Sequence, residues 1–179
     1  MLSFAWIRVI GGQRFQAGLA LLFFGVLAPA TFSQPALDDR ELEGKLRSET
    51  AARGVTIVHL WAPWCGNCKA EMSENGWVKF LREHPDVRIV FVNIWHKGQD
   101  GAPKLKAAGL GGQNNFLSLT HTNESNQRGT RLDHLLDMPI SWVPTTWVFR
   151  SGEMRYALNY GEIRFELLDQ MVKDAAKEW

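Results

Sequence analysis

Residues 60–69 read LWAPWCGNCK and hold both cysteines of the chain, Cys65 and Cys68, in one CxxC motif. The residues before the motif, VTIVHLW over 55–61, form a β-branched and almost unbroken apolar run, which is typical of a strand buried on both faces. Helical spacing of apolar residues begins at Cys65 and extends to about His84. We therefore expect the cysteines in the first turn of a helix that directly follows a buried strand.

This position favours redox chemistry at the cysteine pair. Unpaired backbone N–H groups and the positive end of the helix dipole stabilise a thiolate at Cys65, and Cys68 can then resolve a mixed disulfide formed there. A purely structural disulfide is a weaker interpretation, because a two-residue loop constrains little of the unfolded chain. A zinc site is weaker too, since no second CxxC or close histidine pair completes four ligands. We predict a redox pair without metal or cofactor.

The pattern around the motif predicts an α/β fold. A second apolar run, VRIVFVNIW over 87–95, indicates another buried strand, and strand–helix–strand in about 40 residues forms a right-handed unit with parallel strands. The other predicted elements are a short surface helix over 38–47, a helix over 100–110, a strand over 115–121, one or two helical turns over 131–137, a hairpin of strands 145–150 and 154–158, and a closing helix over 163–179.

The N-terminal segment has the pattern of an export signal. Residues 1–15 carry Arg8 and Arg14 without an acidic residue, and residues 17–30 are apolar and uncharged. Small residues at 28 and 30 fit a cleavage site. The sequence thus predicts a signal peptide or an uncleaved membrane anchor over residues 1–30 and an extracytoplasmic location for the rest.

Overall charge gives no reason to expect a nucleic-acid partner. The chain has 20 Lys and Arg residues against 19 Asp and Glu residues, for a formal net charge of +1. Its basic residues do not cluster with aromatic ones in the way that a nucleic-acid surface requires. The histidines at 96, 121 and 134 are scattered, and we expect each of them at the surface.

Taken together, these segments resemble the thioredoxin superfamily. LWAPWCGNCK resembles its active-site segment, and VPTTWVF over 143–149 resembles the proline loop that faces the cysteines. Glu71, the long segment before Pro144 and the export signal are similar to the exported bacterial TlpA/ResA-like branch. The resemblance implies a linker over 31–40, then a thioredoxin-like domain over 41–179 with a central mixed sheet flanked by helices on both faces.

The resemblance also implies the remaining site residues. It places a cis bond between Val143 and Pro144 against the cysteines, with the Val143 backbone free to pair with a client chain. Trp64, beside the nucleophile, is a candidate substrate contact. His59 stands where thioredoxins carry a buried aspartate, and Glu71 matches the glutamate of the TlpA/ResA-like branch, so both are candidate proton acceptors for resolution.

The activity implied is thiol–disulfide exchange with client proteins. For an exported member of this branch we expect a reductase, kept reduced by a membrane-bound electron donor and acting on cytochrome c or metal-site cysteines. Asn67 replaces the proline found between the cysteines of cytoplasmic thioredoxins, which leaves the redox potential open. The alternatives are a disulfide oxidase or isomerase, a copper-handling protein resembling the Sco group, and a binding domain whose disulfide switches its shape.

Overall fold

The computed structural model describes residues 35–73, 75–158 and 161–177. The predicted signal peptide or anchor over 1–30 lies outside these residues. The elements in chain order are β1 (Ala36–Leu37), α1 (Asp39–Ala51), β2 (Val55–Trp61), α2 (Gly66–Glu71), α3 (Trp77–Glu83), β3 (Arg88–Asn93), α4 (Ala102–Ala107), β4 (Phe116–His121), β5 (His134–Leu135), β6 (Met138–Pro139), β7 (Thr145–Arg150), β8 (Glu153–Leu158) and α5 (Phe165–Ala175).

The main sheet has six strands in the order β1-β4-β3-β2-β7-β8. The first four strands in this order are parallel, and β7 and β8 are antiparallel to their neighbours. The register of β2 against β3 runs from Thr56 opposite Arg88 to Trp61 opposite Asn93. The predicted parallel strand–helix–strand unit and the mixed α/β sheet flanked by helices are therefore confirmed.

Strand β2 is central because its sequence is apolar on both faces. All seven of its residues are buried, and the neighbouring β3 is buried except at its first residue. Each fully buried large aliphatic side chain contributes about 1.5–3 kcal/mol relative to exposure, so these two strands anchor the core. Strand β2 ends at Trp61, shortly before the CxxC motif begins at Cys65.

Two helices pack their apolar stripes against this sheet. Helix α1 starts with a capping box in which Asp38 and Glu41 exchange hydrogen bonds, and it buries Leu42 and Leu46. Helix α5 buries Leu168 and Val172 on one side and keeps its charged residues on the other. Among the described residues, no helix is long and apolar enough to cross a membrane.

The helix predicted over 65–84 is instead two helices, α2 and α3. Between them the backbone folds back so closely that a Cβ atom on Gly76 would lie 1.9 Å from the carbonyl oxygen of Glu71. The Met72 and Ser73 N–H groups bond to carbonyls three residues back, which tightens the end of α2 into a turn. The prediction of one continuous helix is therefore wrong. The chain turns between α2 and α3, and Gly76 lies at the closest approach of this turn, where a side chain does not fit.

Two further segments differ from their predictions. Residues 131–137, predicted as helical turns, contain β5, which pairs with β6 through a turn with positive φ at Leu136 and Asp137. The turn is held by the Leu136 N–H, which donates to the Glu43 carboxylate. Within the stretch predicted as a linker over 31–40, β1 pairs with β4 and α1 begins at Asp39.

The two edges of the main sheet are short or irregular. On one side β1 contributes only two residues. On the other side β8 pairs with β7 through a shifted register between Val148 and Phe149, and its edge carries an ion pair of Glu153 with Arg155 at 3.1 Å.

Candidate active site

The two cysteines form a disulfide at the start of helix α2. Cys65 is the N-cap residue, and its Sγ accepts a hydrogen bond from the Cys68 N–H at 3.2 Å. Cys65 is 5% exposed and Cys68 is fully buried, whereas Gly66 and Asn67 between them face solvent. The first cysteine is thus the sulfur nearer to solvent, and a free N–H group at the helix start is aimed at it.

The proline loop lies directly against the disulfide. The Val143–Pro144 peptide bond is cis, and the carbonyl oxygen of Val143 lies 3.6 Å from Cys65 Sγ. Both residues are buried, while the preceding Trp142 is 49% exposed. Cys65 Sγ therefore faces the Val143 carbonyl, and Val143 directly follows the exposed Trp142.

Trp64 is fixed beside Cys65 by a long-range contact. Its indole Nε1–H donates to the Trp95 carbonyl at 2.5 Å, and the ammonium of Lys97 lies 4.8 Å from the centre of its ring. Trp95 and Lys97 both have positive φ, near 52° and 55°. Because non-glycine residues rarely adopt that conformation, this turn after β3 is held in place by its contacts.

His59 and Glu71 meet behind the motif, and both are buried. His59 Nε2 lies 3.1 Å from Glu71 Oε2, although its N–H axis is not aligned for a hydrogen bond with that oxygen. The other ring nitrogen, Nδ1, is hydrogen-bonded to the Thr146 hydroxyl at 3.0 Å. Thr146 is the cross-strand neighbour of His59 in the β2–β7 register, which explains this contact.

Glu71 accepts hydrogen bonds from two other groups. Its Oε1 accepts from the Ile163 N–H at 2.7 Å, and its Oε2 accepts from the Trp77 indole N–H at 3.3 Å. A carboxylate is costly to bury unless such donors surround it. The hydrogen bonds of His59 and Glu71 run to these partners and not to either sulfur.

The sequence indicated seven of these positions without their partners: Cys65, Cys68, Trp64, His59, Glu71, Val143 and Pro144. Thr146 and Trp77 join the buried cluster, and neither was singled out as a site residue. Thr146 lies on β7, the antiparallel neighbour of the His59 strand, and that register is the signal that could have identified it. Trp77 has the pattern of an ordinary core residue, because its contact with Glu71 depends on the turn at Gly76.

Two of the three histidines expected at the surface are buried. His96 and His121 are buried and linked, since His96 Nε2 is hydrogen-bonded to the His121 carbonyl at 2.9 Å. His121 Nε2 also lies 2.6 Å from the Asp39 carboxylate, an interaction that brings α1 onto β4. The surface prediction is correct for His134 alone. Within the described part of the chain, no group of three or more His, Cys, Asp or Glu residues is arranged to hold a metal ion.

A family model described as a thioredoxin-like domain matches residues 45–176, which is most of the chain. The chain belongs to the thioredoxin-like family. The disulfide of Cys65 and Cys68 occupies the strand-to-helix junction of this fold, and the predicted identity as a thioredoxin-like thiol–disulfide oxidoreductase is thereby confirmed. No curated protein sequence matches this member of the family.

Solved structures share the fold at low sequence identity. A candidate thiol:disulfide interchange protein DsbE from Chlorobium tepidum has a TM-score of 0.53 and 19% identity, covering 74% of this chain and 85% of its own. A DsbF homologue from Corynebacterium diphtheriae has a TM-score of 0.50 and 18% identity, covering 72% and 75%. A thiol-disulfide isomerase from Corynebacterium glutamicum has a TM-score of 0.50 and 13% identity, covering 74% and 86%.

Proposed function

We propose that this thioredoxin-like protein is an exported reductase of client disulfides, in the manner of the TlpA/ResA-like branch. The observation that carries the proposal is the Cys65–Cys68 disulfide at a helix start, 3.6 Å from the carbonyl of Val143. This arrangement gives one sulfur a helix start that favours its thiolate and places a backbone acceptor beside it for a client chain.

The reaction is a pair of exchange steps. In the reduced protein, the Cys65 thiolate attacks one sulfur of a client disulfide, forms a mixed disulfide and releases the other client sulfur as a thiolate, which takes up a proton. The Cys68 thiolate then attacks Cys65 Sγ and releases the second client thiol. Two electrons pass to the client, and the protein is left with the Cys65–Cys68 disulfide that the structure shows.

Exposure supports this division of roles. Cys65 is the sulfur nearer to solvent, and Cys68 is fully buried behind it. A client cannot reach Cys68 first, whereas Cys68 needs only to reach its neighbour one turn away. Trp64 and Val143 flank Cys65, so we assign them to client contact, with Pro144 holding the Val143 carbonyl in place.

We assign His59 and Glu71 to proton handling during resolution. Cys68 must lose a proton before it attacks, and it is buried away from water. Glu71 lies one helical turn after Cys68 in α2 and meets His59 at 3.1 Å, so the pair forms a buried ionisable group behind the resolving cysteine. Neither residue is hydrogen-bonded to a sulfur, so we assign the pair an influence on the Cys68 proton from one helical turn away.

The rest of the proposal concerns location and partners. The basic and then apolar pattern of residues 1–30 supports export, with the segment either cleaved or kept as an anchor. Outside the cytoplasm a reductase needs a supply of electrons, and a membrane-bound dithiol donor would provide it. Cysteines of cytochrome c or of metal sites are client candidates, because both must be reduced before they bind their ligand.

The test is turnover and trapping with the full chain. The parent is expected to speed the reduction of insulin disulfides by dithiothreitol, Cys65→Ser to lose this activity, and Ser48→Ala, an exposed control on α1, to retain it. Cys68→Ala is expected to accumulate a mixed disulfide with the client, which mass spectrometry would identify. Full activity in Cys65→Ser would contradict the nucleophile assignment. A glutathione titration giving a potential near about −120 mV would favour an oxidase instead.

A further inference from the structure

Two cationic side chains are fixed on aromatic rings next to the nucleophile. The Lys97 ammonium lies 4.8 Å from the ring centre of Trp64, the residue that precedes Cys65. The Arg131 guanidinium carbon lies 3.9 Å from the ring centre of Trp95. The two residues are linked, because the indole N–H of Trp64 donates to the backbone carbonyl of Trp95. We call these four side chains the cation–aromatic cluster.

Hydrogen bonds hold the cluster in one arrangement. The Lys97 N–H donates to the Glu124 carbonyl at 2.9 Å, and the Trp95 indole N–H donates to the Leu132 carbonyl at 2.7 Å. Arg131 also reaches the proline loop, since its Nη2 donates to the Ser141 carbonyl at 3.4 Å. Ser141 stands two residues before Val143, which faces Cys65. The cluster therefore spans from the CxxC motif to the proline loop.

The cluster carries two positive charges, of which that of Arg131 is partly balanced by an electrostatic interaction with Asp133. Neither Lys97 nor Arg131 lies within ion-pair distance of a carboxylate in the described part of the chain, although the Glu124 carboxylate lies close to Gly98 in the adjoining loop. Lys104 adds a third cation to this side, donating to the Pro63 carbonyl at 2.7 Å. An aromatic face stabilises a cation without neutralising it, so the charge stays available to a partner.

We propose that the cation–aromatic cluster selects client disulfides whose attacked cysteine is flanked by acidic residues. The inference rests on the proposed reductase function and adds a substrate class to it. A client chain paired with the Val143 carbonyl would pass between Trp64 and the proline loop, which brings its residues next to the attacked cysteine within reach of Lys97 and Arg131. Acidic residues of the client would meet fixed positive charge there, whereas lysine residues of a client would be repelled.

The charges of the cluster should act mainly on the rate at which a client associates with the protein. Charges at the rim of an interface act mainly on association and are screened by salt, with a Debye length of about 10 Å at 0.1 M ionic strength. Steering of this kind raises association rates by about 10-fold or more. We therefore expect about a tenfold preference at low ionic strength and a preference close to onefold at high ionic strength.

The test uses two synthetic peptides closed by one disulfide and differing only in two residues next to the cysteines, both Glu or both Lys. The reduced full chain is mixed with each peptide, and released thiols are counted by alkylation and mass spectrometry at about 20 mM and about 500 mM salt. Flanking charges also change the intrinsic reactivity of the peptides, so each rate is divided by the rate with dithiothreitol. The Glu peptide is expected to react about ten times faster at low salt.

Variants assign the preference to the cluster. The double variant Lys97→Gln and Arg131→Gln is expected to lose most of the preference, and the charge-preserving pair Lys97→Arg and Arg131→Lys to keep it. Lys79→Gln, an exposed lysine on α3, is the control for a general loss of charge. Equal rates for the two peptides with the parent, or a preference for the Lys peptide, would overturn the inference while leaving the reductase intact. Reduction of neither peptide would overturn the proposed function itself.

Discussion

Removing the Glu71 carboxylate should cost far more stability than removing an exposed one. Glu71 is 1% exposed and accepts the Ile163 N–H at 2.7 Å and the Trp77 indole N–H at 3.3 Å. In Glu71→Ala both donors stay buried without a partner, and each such group costs about 1–3 kcal/mol. The expected loss is about 2–6 kcal/mol, a large part of the roughly 5–15 kcal/mol that stabilises a typical domain.

The measurement is urea unfolding of the oxidised full chain, followed through its midpoint and slope. Glu83→Ala is the matched control, because this carboxylate is exposed on α3 and its ion pair with Lys79 is 3.8 Å long. Such a surface pair contributes less than about 1 kcal/mol. If Glu71→Ala and Glu83→Ala lowered the unfolding free energy equally, the two buried hydrogen bonds of Glu71 would not have the role that the structure gives them.

The same position separates a structural from a proton-handling role. Glu71→Gln keeps the shape of the side chain and one acceptor oxygen, and His59→Asn keeps a polar group opposite Thr146. If the pair handles protons, both variants should shift the pH dependence of Cys65 alkylation and slow the resolution of the mixed disulfide. An unchanged pH profile and unchanged turnover, in variants that remain folded, would reduce the pair to a structural role.

Two further predictions concern the turn after α2 and acid stability. Gly76→Ala should destabilise the chain by about 1–3 kcal/mol through overpacking, whereas Gly44→Ala, which meets no atom within 4 Å on helix α1, should stabilise it by about 0.5–1 kcal/mol; equal unfolding midpoints would refute this. Burial raises the pKa of Glu49, but hydrogen bonds from Lys45 and Arg88 outweigh it and hold that pKa below its ordinary value. The stabilisation from these contacts is complete above the ordinary pKa of Glu49 and is lost as the pH falls through the pKa of Glu49 in the folded chain. In urea unfolding, Glu49→Gln should therefore cost more stability at about pH 7 than at about pH 3. Equal losses at both pH values would contradict it.

The sheet and the cysteine site were largely predictable because they follow from local patterns. The runs over 55–61 and 87–95 are apolar on both faces, and a strand with no polar face can lie only inside a sheet. Once both strands are parallel, the CxxC motif must lie at the carboxyl end of a central strand. The hairpin of β7 and β8 was predictable for a similar reason, since the turn residues Ser151 and Gly152 separate two strand-like runs.

What the sequence concealed depends on contacts between distant residues. The break between α2 and α3 arises where Gly76 meets the Glu71 carbonyl, yet the apolar spacing on either side still fits one helix. The turn at Leu136 and Asp137 has positive φ without a glycine, so nothing in the composition distinguishes it from a helical turn. His121 is buried and pairs with Asp39 of a distant helix, and no local pattern encodes that pairing.

The edges of the sheet bear on where an extended chain can pair with this protein. An exposed strand edge is a template on which an extended chain can add itself and begin to aggregate. Here one edge is two residues long, and the other carries the Glu153–Arg155 pair and a shifted register. The charged pair and the irregular register discourage pairing at the β8 edge, and we expect an extended client to meet the protein at the Val143 carbonyl, beside Cys65.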